Sequence, residues 1–327
     1  MFLQDMATNQ NLILKKKTLY GFVLAFIFAL VSSAKFFGSS PDLIQYQLYF
    51  NKISLYDFNS RYEPGFEYLN IIFKTIFGPG SFTFLIFFIA FLSLILKFLF
   101  LTKRRDWPIL IFIYITCAMI LHEFIQIRAG LAIAISILAL NYSITDNPKF
   151  FRKLIFLAVA CSFHISSIFF APFILAPAFF KSRNRFIIFV YASLVFALGK
   201  FSPGFIEMLT GNSAQLTQSY LSVFDDTTAT IFSARNLALL TILTIGFFRI
   251  KDFKKNTLPF YYISLAGFSF WFGFLWFPLL SNRILELTIF SCLAWLPDLK
   301  KDFRICAYIV MSAFGIYYSY NLTNMFI

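Results

Sequence analysis

Three arginines, one histidine and two glutamates carry the chemistry that this sequence offers. Arg128 follows Glu123 and Gln126, Arg235 follows a long polar segment, and Arg283 stands in Ser281-Asn282-Arg283 with Glu286 one turn later. A guanidinium keeps its charge and presents a rigid fork of donors, which suits a phosphate or pyrophosphate. The plainer accounts are an interfacial Arg128 paired with Glu123 and an Arg283 neutralised by Glu286. Only an anionic ligand explains all three arginines at once. His164 lies in Ser162-Phe163-His164-Ile165-Ser166-Ser167, and His122 is the second of 2 histidines. With an ordinary pKa of about 6.5, His164 can accept a hydroxyl proton or orient a phosphate, or it can simply pack as a hydrogen-bonded group between helices. No Ser-His-Asp order is readable from the spacing. Two histidines without a metal motif argue against zinc.

The glutamates belong to a segment, 63–78, that reads as a short helix which does not span. Pro64 suits its first position and Gly78 its exit. Glu63, Glu67, Asn70 and Lys74 fall in one narrow stripe, with Phe66, Leu69, Phe73, Ile76 and Phe77 covering much of the rest. Such a helix either lies on a membrane surface with its stripe in water or turns the stripe toward a cavity. In the second arrangement, two carboxylates one turn apart can bind a sugar or a cation.

The elements that position these groups follow from composition. The chain has 327 residues, 59% hydrophobic and 13% charged, with 49 phenylalanines and a mean hydropathy of +0.76. No soluble domain of this size can hide so much apolar surface, so the fold class is all-α and polytopic within a membrane. The net charge of +13 invites a nucleic-acid partner until its placement is read. Six basic clusters, around 15–17, 103–105, 149–153, 181–185, 249–255 and 300–304, hold 19 of the 28 Lys and Arg residues. The positive-inside rule puts all six on the cytoplasmic face, which accounts for the charge without nucleic acid. The apolar segments between them then make about eleven crossings, N-terminus inside and C-terminus outside.

One domain, 1–327, is expected, with outer segments 38–80 and 202–234 covering a site that faces outward. Lys97 is expected to snorkel to the nearby inner interface, leaving almost no charge at mid-membrane depth. The loop 202–234, with Glu207, Tyr220, Asp225 and Asp226, reads as a lid or a passive cover. Tyr46, Tyr49, Tyr56 and Tyr62 read as sugar-stacking surfaces or interface anchors. Cys117, Cys161, Cys292 and Cys306 read as small apolar residues inside spans.

Taken in order, Asp42 and Tyr46, then E-P-G-F-E-Y-L-N at 63–70, Q-I-R-A-G-L-A at 126–132, F-H-I-S-S at 163–167 and S-N-R at 281–283 resemble the EpsG-like branch of Wzy-type polysaccharide polymerases. The resemblance runs over most of the chain and implies a GT-C-like membrane fold in a bacterial inner membrane, with an active site facing the periplasm or exterior. It implies transfer of a growing glycan from undecaprenyl pyrophosphate to a new lipid-linked repeat unit, without a metal or other cofactor. A chain-length regulator is an implied partner. By the same resemblance Arg128 and Arg283 hold the leaving pyrophosphate, and His164 orients a phosphate or accepts the hydroxyl proton. Glu63 or Glu67 is the rival base, and Asp42, Tyr46 and Tyr68 contact the glycan. Arg235 falls in no motif of the family. An O-antigen-ligase-like transferase, a transporter or flippase of lipid-linked oligosaccharide, and an acyltransferase using His122 and Glu123 stand as alternatives.

Overall fold

A computed structural model of the chain describes residues 2–34, 40–54, 62–146, 148–210, 232–275 and 278–324. Among these residues the structure is helical throughout. The chain forms two compact units, the first comprising residues 1–178 with 311–327 and the second residues 179–310.

The first unit holds α1 (Phe2–Ser33), α2 (Pro41–Lys52), α3 (Pro64–Phe77), α4 (Phe82–Thr102), α5 (Trp107–Tyr114), α6 (Ile127–Thr145), α7 (Phe150–Phe163) and α8 (Ala171–Leu175). Between α5 and α6 the chain widens into a π-helix over Ile115–Ile125. After α7 it tightens into a 3₁₀ stretch over Ile165–Phe170. Ser40 caps α2, its Oγ accepting the Leu43 N–H at 3.2 Å, and Pro41 occupies the first turn. Pro64 opens α3 and Gly78 closes it at φ 84°, a left-handed backbone that favours glycine. Phe50 of α2, Phe66 and Phe73 of α3, Phe82, Leu85 and Ile89 of α4, Ile127 and Leu131 of α6 and Ala160 of α7 meet in one buried cluster. That core holds α3 against the bundle.

The polar stripe of α3 faces the protein. Glu67 is 1% exposed and Asn70 is wholly buried, whereas Tyr68, Ile72, Ile76 and Phe77 are exposed. Neither expected arrangement describes this. Glu67 accepts from the Tyr49 hydroxyl at 2.7 Å and the Tyr62 backbone N–H at 2.9 Å, Asn70 donates to the Phe66 carbonyl, and Lys74 donates to the carbonyls of Asn51 and Ile53. An apolar outward face with an inward polar stripe suits a helix bathed in hydrocarbon or its interface, where unsatisfied polar groups are costly.

In the second unit α9 (Arg185–Thr210), α10 (Ala234–Phe248), α11 (Leu258–Gly273) and α12 (Pro278–Trp295) precede α13 (Lys301–Asn324), whose residues from Met311 belong to the first unit. Tyr261 donates to the Leu243 carbonyl and Trp295 Nε1 to Ser264 Oγ. Asp252 and Asp298 serve the basic clusters. Asp252 pairs with Arg249 at 2.9 Å, and Asp298 accepts from the Lys254 N–H and the Thr257 hydroxyl.

Five described helical segments are long and apolar enough to cross a membrane: Lys16–Ser33, Phe82–Thr102, Trp107–Ile125, Ile127–Thr145 and Lys301–Leu322. The chain is therefore a helical multi-pass membrane protein, while the expected count of about eleven crossings exceeds what these helices supply. Part of the shortfall comes from elements that are broken or short. The apolar stretch after α7 divides into 3₁₀ and α pieces around Pro172 and Pro177, and Ala234–Phe248 has only 15 residues. Cys117 and Cys292 are buried as expected, but Cys161 is half-buried and Cys306 exposed. The suggested lid residues Tyr220, Asp225 and Asp226 lie outside the described residues, as do Tyr56 and the side chain of Glu207.

Candidate functional site

Glu63 is the N-cap of α3, and its carboxylate gathers residues from three elements. One oxygen, Oε2, is ion-paired with Arg128 on the first turn of α6. The other, Oε1, lies 3.0 Å from His164 Nδ1 and accepts the Ile165 backbone N–H at 3.2 Å. His164 sits where α7 gives way to the 3₁₀ stretch, in extended backbone, and its Nε2 is 3.3 Å from Ser166 Oγ. Three sequence motifs, at 63–70, 126–132 and 163–167, thus converge on one carboxylate.

Two glycines make the convergence possible. A Cβ on Gly65 would stand 2.7 Å from the Ser162 carbonyl oxygen, so α3 meets the end of α7 only through a hydrogen. A Cβ on Gly130 would collide with the His122 carbonyl, so α6 docks on the end of the π-helix by the same device.

Burial alone raises the Glu63 carboxyl pKa. The hydrogen bond to His164 and the charge of Arg128 outweigh it and bring the group down to about 2. Glu63 is therefore an acceptor-only carboxylate at neutral pH. A carboxylate only accepts, so this contact calls for a proton on His164 Nδ1, with Nε2 turned toward the Ser166 hydroxyl. The Arg128 guanidinium lies over the rings of Tyr62, Tyr46 and Phe66 at 4.4, 5.2 and 5.6 Å. Its Nε is buried without a hydrogen-bond partner among the described residues. Burial pushes the Tyr46 phenol up, an effect the Arg128 charge offsets only in part.

Several expected residues stand elsewhere. Glu67 is consumed by Tyr49 and Tyr62, away from His164. Tyr68 is 57% exposed, on the outward face of α3. Asp42 lies in the first turn of α2, one turn before Tyr46. Glu123 is not the partner of Arg128. It is wholly buried and paired with Lys97, whose Nζ is 2.5 Å away. Lys97 is itself 1% exposed, so it does not snorkel, and charge does lie inside a span. The sequence gives no sign of this pairing because the two residues sit on different helices, 26 positions apart. It also removes Glu123 from an acyltransferase pair with His122.

The second unit holds a separate cluster. Arg235 pairs with Glu286 at 3.1 Å and donates to Asn282 Oδ1 at 2.6 Å, and Trp271 Nε1 donates to the same oxygen at 3.1 Å. Glu286 thus pairs with Arg235, which sets aside the plainer account of Arg283. Arg283 makes no ion pair among the described residues, and its Nε is buried without a partner. Two of the three arginines have protein carboxylates, which leaves Arg283 without one among the described residues. Helical spacing favours Arg283, three residues before Glu286 on the same helix, and nothing in the sequence points to Arg235, 51 positions away on another. Among the described residues, no group of three His, Cys, Asp or Glu side chains could hold a metal ion.

No curated protein and no solved structure matches the chain. A model of the EpsG family matches residues 18–326, from the first apolar helix to the last, with Glu63, Arg128, His164 and the Arg235 cluster inside it. The chain therefore belongs to the EpsG family, a family of Wzy-like polymerases.

Proposed function

We propose that the chain polymerises a polysaccharide at the outer face of a bacterial inner membrane. It would transfer a growing glycan from undecaprenyl pyrophosphate to a new lipid-linked repeat unit. The family supports polymerisation in general. The observation that supports this chemistry is the Glu63 carboxylate shared between Arg128 and His164.

In the reaction, a hydroxyl of the incoming sugar attacks the anomeric carbon of the growing chain. The bond from that carbon to the pyrophosphate oxygen breaks, and its electron pair leaves with undecaprenyl pyrophosphate. His164 Nε2 receives the hydroxyl proton, with Glu63 stabilising the imidazolium through Nδ1. Ser166 Oγ, hydrogen-bonded to Nε2, marks where the acceptor hydroxyl would approach. Arg128 neutralises the departing pyrophosphate, using donors that Glu63 does not occupy, in a partly buried setting where that charge counts most. Of the aromatic rings around Arg128, the half-buried Tyr62 offers a face for a sugar, whereas Tyr46 and Phe66 are buried. Arg283 and Arg235 are proposed as further anion contacts, Arg283 with the stronger case. A chain-length regulator is a proposed partner.

The scarcity of charge at depth no longer weighs against a transporter, because Lys97 and Glu123 are buried in the bundle. They are paired with each other, however, and the family match favours polymerisation.

Deleting the gene in its host and running the surface polysaccharide on a gel tests the proposal, with Arg128→Ala and His164→Ala as complements. Loss of the ladder with a single repeat retained, rescued by the wild type and by neither variant, is the expected result. Retained chain length with lost attachment would point to a ligase-like transferase. An unchanged ladder would overturn the reading and send the protein to transport assays.

A further inference from the structure

The Lys97–Glu123 pair takes no part in the proposed chemistry, yet it is built with care. Ser93 Oγ and Tyr114 OH donate to Glu123 Oε1 at 2.9 and 2.6 Å, the same oxygen that Lys97 Nζ contacts at 2.5 Å. Lys97 also donates to the Tyr114 oxygen at 3.0 Å, and Ser32 Oγ donates to the backbone carbonyl of Glu123 at 2.5 Å. Burying an ion pair costs desolvation, and apolar residues of similar volume often hold a core as well or better. Stability alone therefore gives no reason for charges here.

The backbone just beyond Glu123 gives one. Gln126 leaves helical geometry at φ −101°, ψ 54°, its N–H closing a wide turn on the Leu121 carbonyl at 2.7 Å. The next helix starts at Ile127 and carries Arg128 on its first turn. Gly130, two residues on, packs without a Cβ onto the carbonyl of His122, the residue beside Glu123. A shift of Glu123 therefore passes to Arg128 along the backbone and through the Gly130 contact. A π-helix is intrinsically less favoured than an α-helix, and its wide turns survive where the surroundings hold them. Directional, charge-assisted bonds fix one rotamer and one register, which apolar contacts do less strictly.

We propose that Lys97, with Ser93 and Tyr114, is a positioning group for glycan transfer. By locking Glu123 it sets the end of the π-helix and so the place of the Arg128 guanidinium beside Glu63. This rests on the assignment of Arg128 to the leaving pyrophosphate.

The test uses purified full-length protein and its lipid-linked repeat unit. Single neutral variants strand a buried charge and are expected to fold poorly, so the main variant is Lys97→Met/Glu123→Met. It strands no charge but removes the acceptor of the buried Ser93 and Tyr114 hydroxyls, so it should fold with a modestly lower melting temperature, while deuterium exchange over residues 121–130 speeds up. Turnover should fall by about 100-fold, as for an Å-scale misplacement, with KM for the lipid-linked substrate little changed. In an Arg128→Ala background the same pair of changes should cost nothing further, because it acts through Arg128. If the double variant does not fold, Tyr114→Phe strands no charge and should show the same pattern at about fivefold. Unchanged exchange over 121–130, or losses that multiply with Arg128→Ala, would overturn the proposal. A wild type that does not extend lipid-linked glycan would overturn the polymerase reading instead. Faster exchange over 121–130 would then still support the positioning of Arg128.

Discussion

His164 Nδ1 lies 3.0 Å from Glu63 Oε1, a contact between residues 101 positions apart in the chain. It joins the break after α7 to the cap of α3, and the same carboxylate reaches Arg128 through its other oxygen. A guanidinium suited to an anion and an imidazole suited to moving a proton therefore share one anchor. Disturbing Glu63 disturbs both.

Glu63→Gln keeps the size of the side chain but loses the charge that orients His164 and holds Arg128. Polymer formation should fall by about 100- to 1,000-fold, read as loss of the ladder from membranes containing normal amounts of the protein. Glu67→Ala acts differently. It leaves the Tyr49 hydroxyl and the Tyr62 N–H without their acceptor, so it should cost about 1–3 kcal/mol of stability. Residual turnover per folded molecule should stay near that of the wild type. Equal turnover losses per folded molecule would count against separate roles for the two glutamates.

The pH dependence of stability follows from the lowered Glu63 carboxyl. Its folded pKa of about 2 lies below the ordinary 4.5, so its contribution is complete above 4.5 and is lost as pH falls toward 2. Melting temperatures in detergent should therefore separate wild type from Glu63→Gln at neutral pH and converge between about pH 4.5 and 2. For the same reason an acid limb of turnover above pH 5 should not titrate with Glu63. A gap in melting temperature that stays constant down to pH 2 would contradict the assignment.

Gly65→Ala and Gly130→Ala each place a methyl group where a backbone carbonyl already stands. Each should cost about 1–3 kcal/mol through forced backbone shifts and lower turnover as well, since both glycines seat residues around Glu63. Gly80→Ala meets nothing within 4 Å and serves as the control, with melting and turnover close to wild type.

The second unit offers a contrast between neighbouring arginines. Arg235→Ala deprives the mostly buried Glu286 of its ion-pair partner, which should destabilise the protein by about 2–4 kcal/mol, a little under the cost for a fully buried pair. Arg283→Ala breaks no ion pair among the described residues and should leave the melting temperature nearly unchanged. If Arg283 binds an anionic part of the substrate, turnover should nonetheless fall by at least about tenfold. Full turnover in Arg283→Ala would exclude that role.

Composition and the spacing of basic clusters were enough to establish a helical membrane protein, because long apolar helices and cytoplasmic charge follow from local pattern and bilayer physics. Local chemistry also announced α3, through Pro64 and Gly78. The short motifs picked out Glu63, Arg128 and His164, but not that one carboxylate joins them. Pairing was decided only in three dimensions. Sequence alone makes Lys97 a snorkelling lysine and offers Glu123 as one partner for Arg128 and Glu286 as one for Arg283. Packing gave Glu123 to Lys97, Glu63 to Arg128 and Glu286 to Arg235. Within a single helix, spacing of three or four residues shows which side chains can meet. Between helices, the partner depends on rotation and close approach, set here by residues as small as Gly65 and Gly130 and by the wide turns of the π-helix.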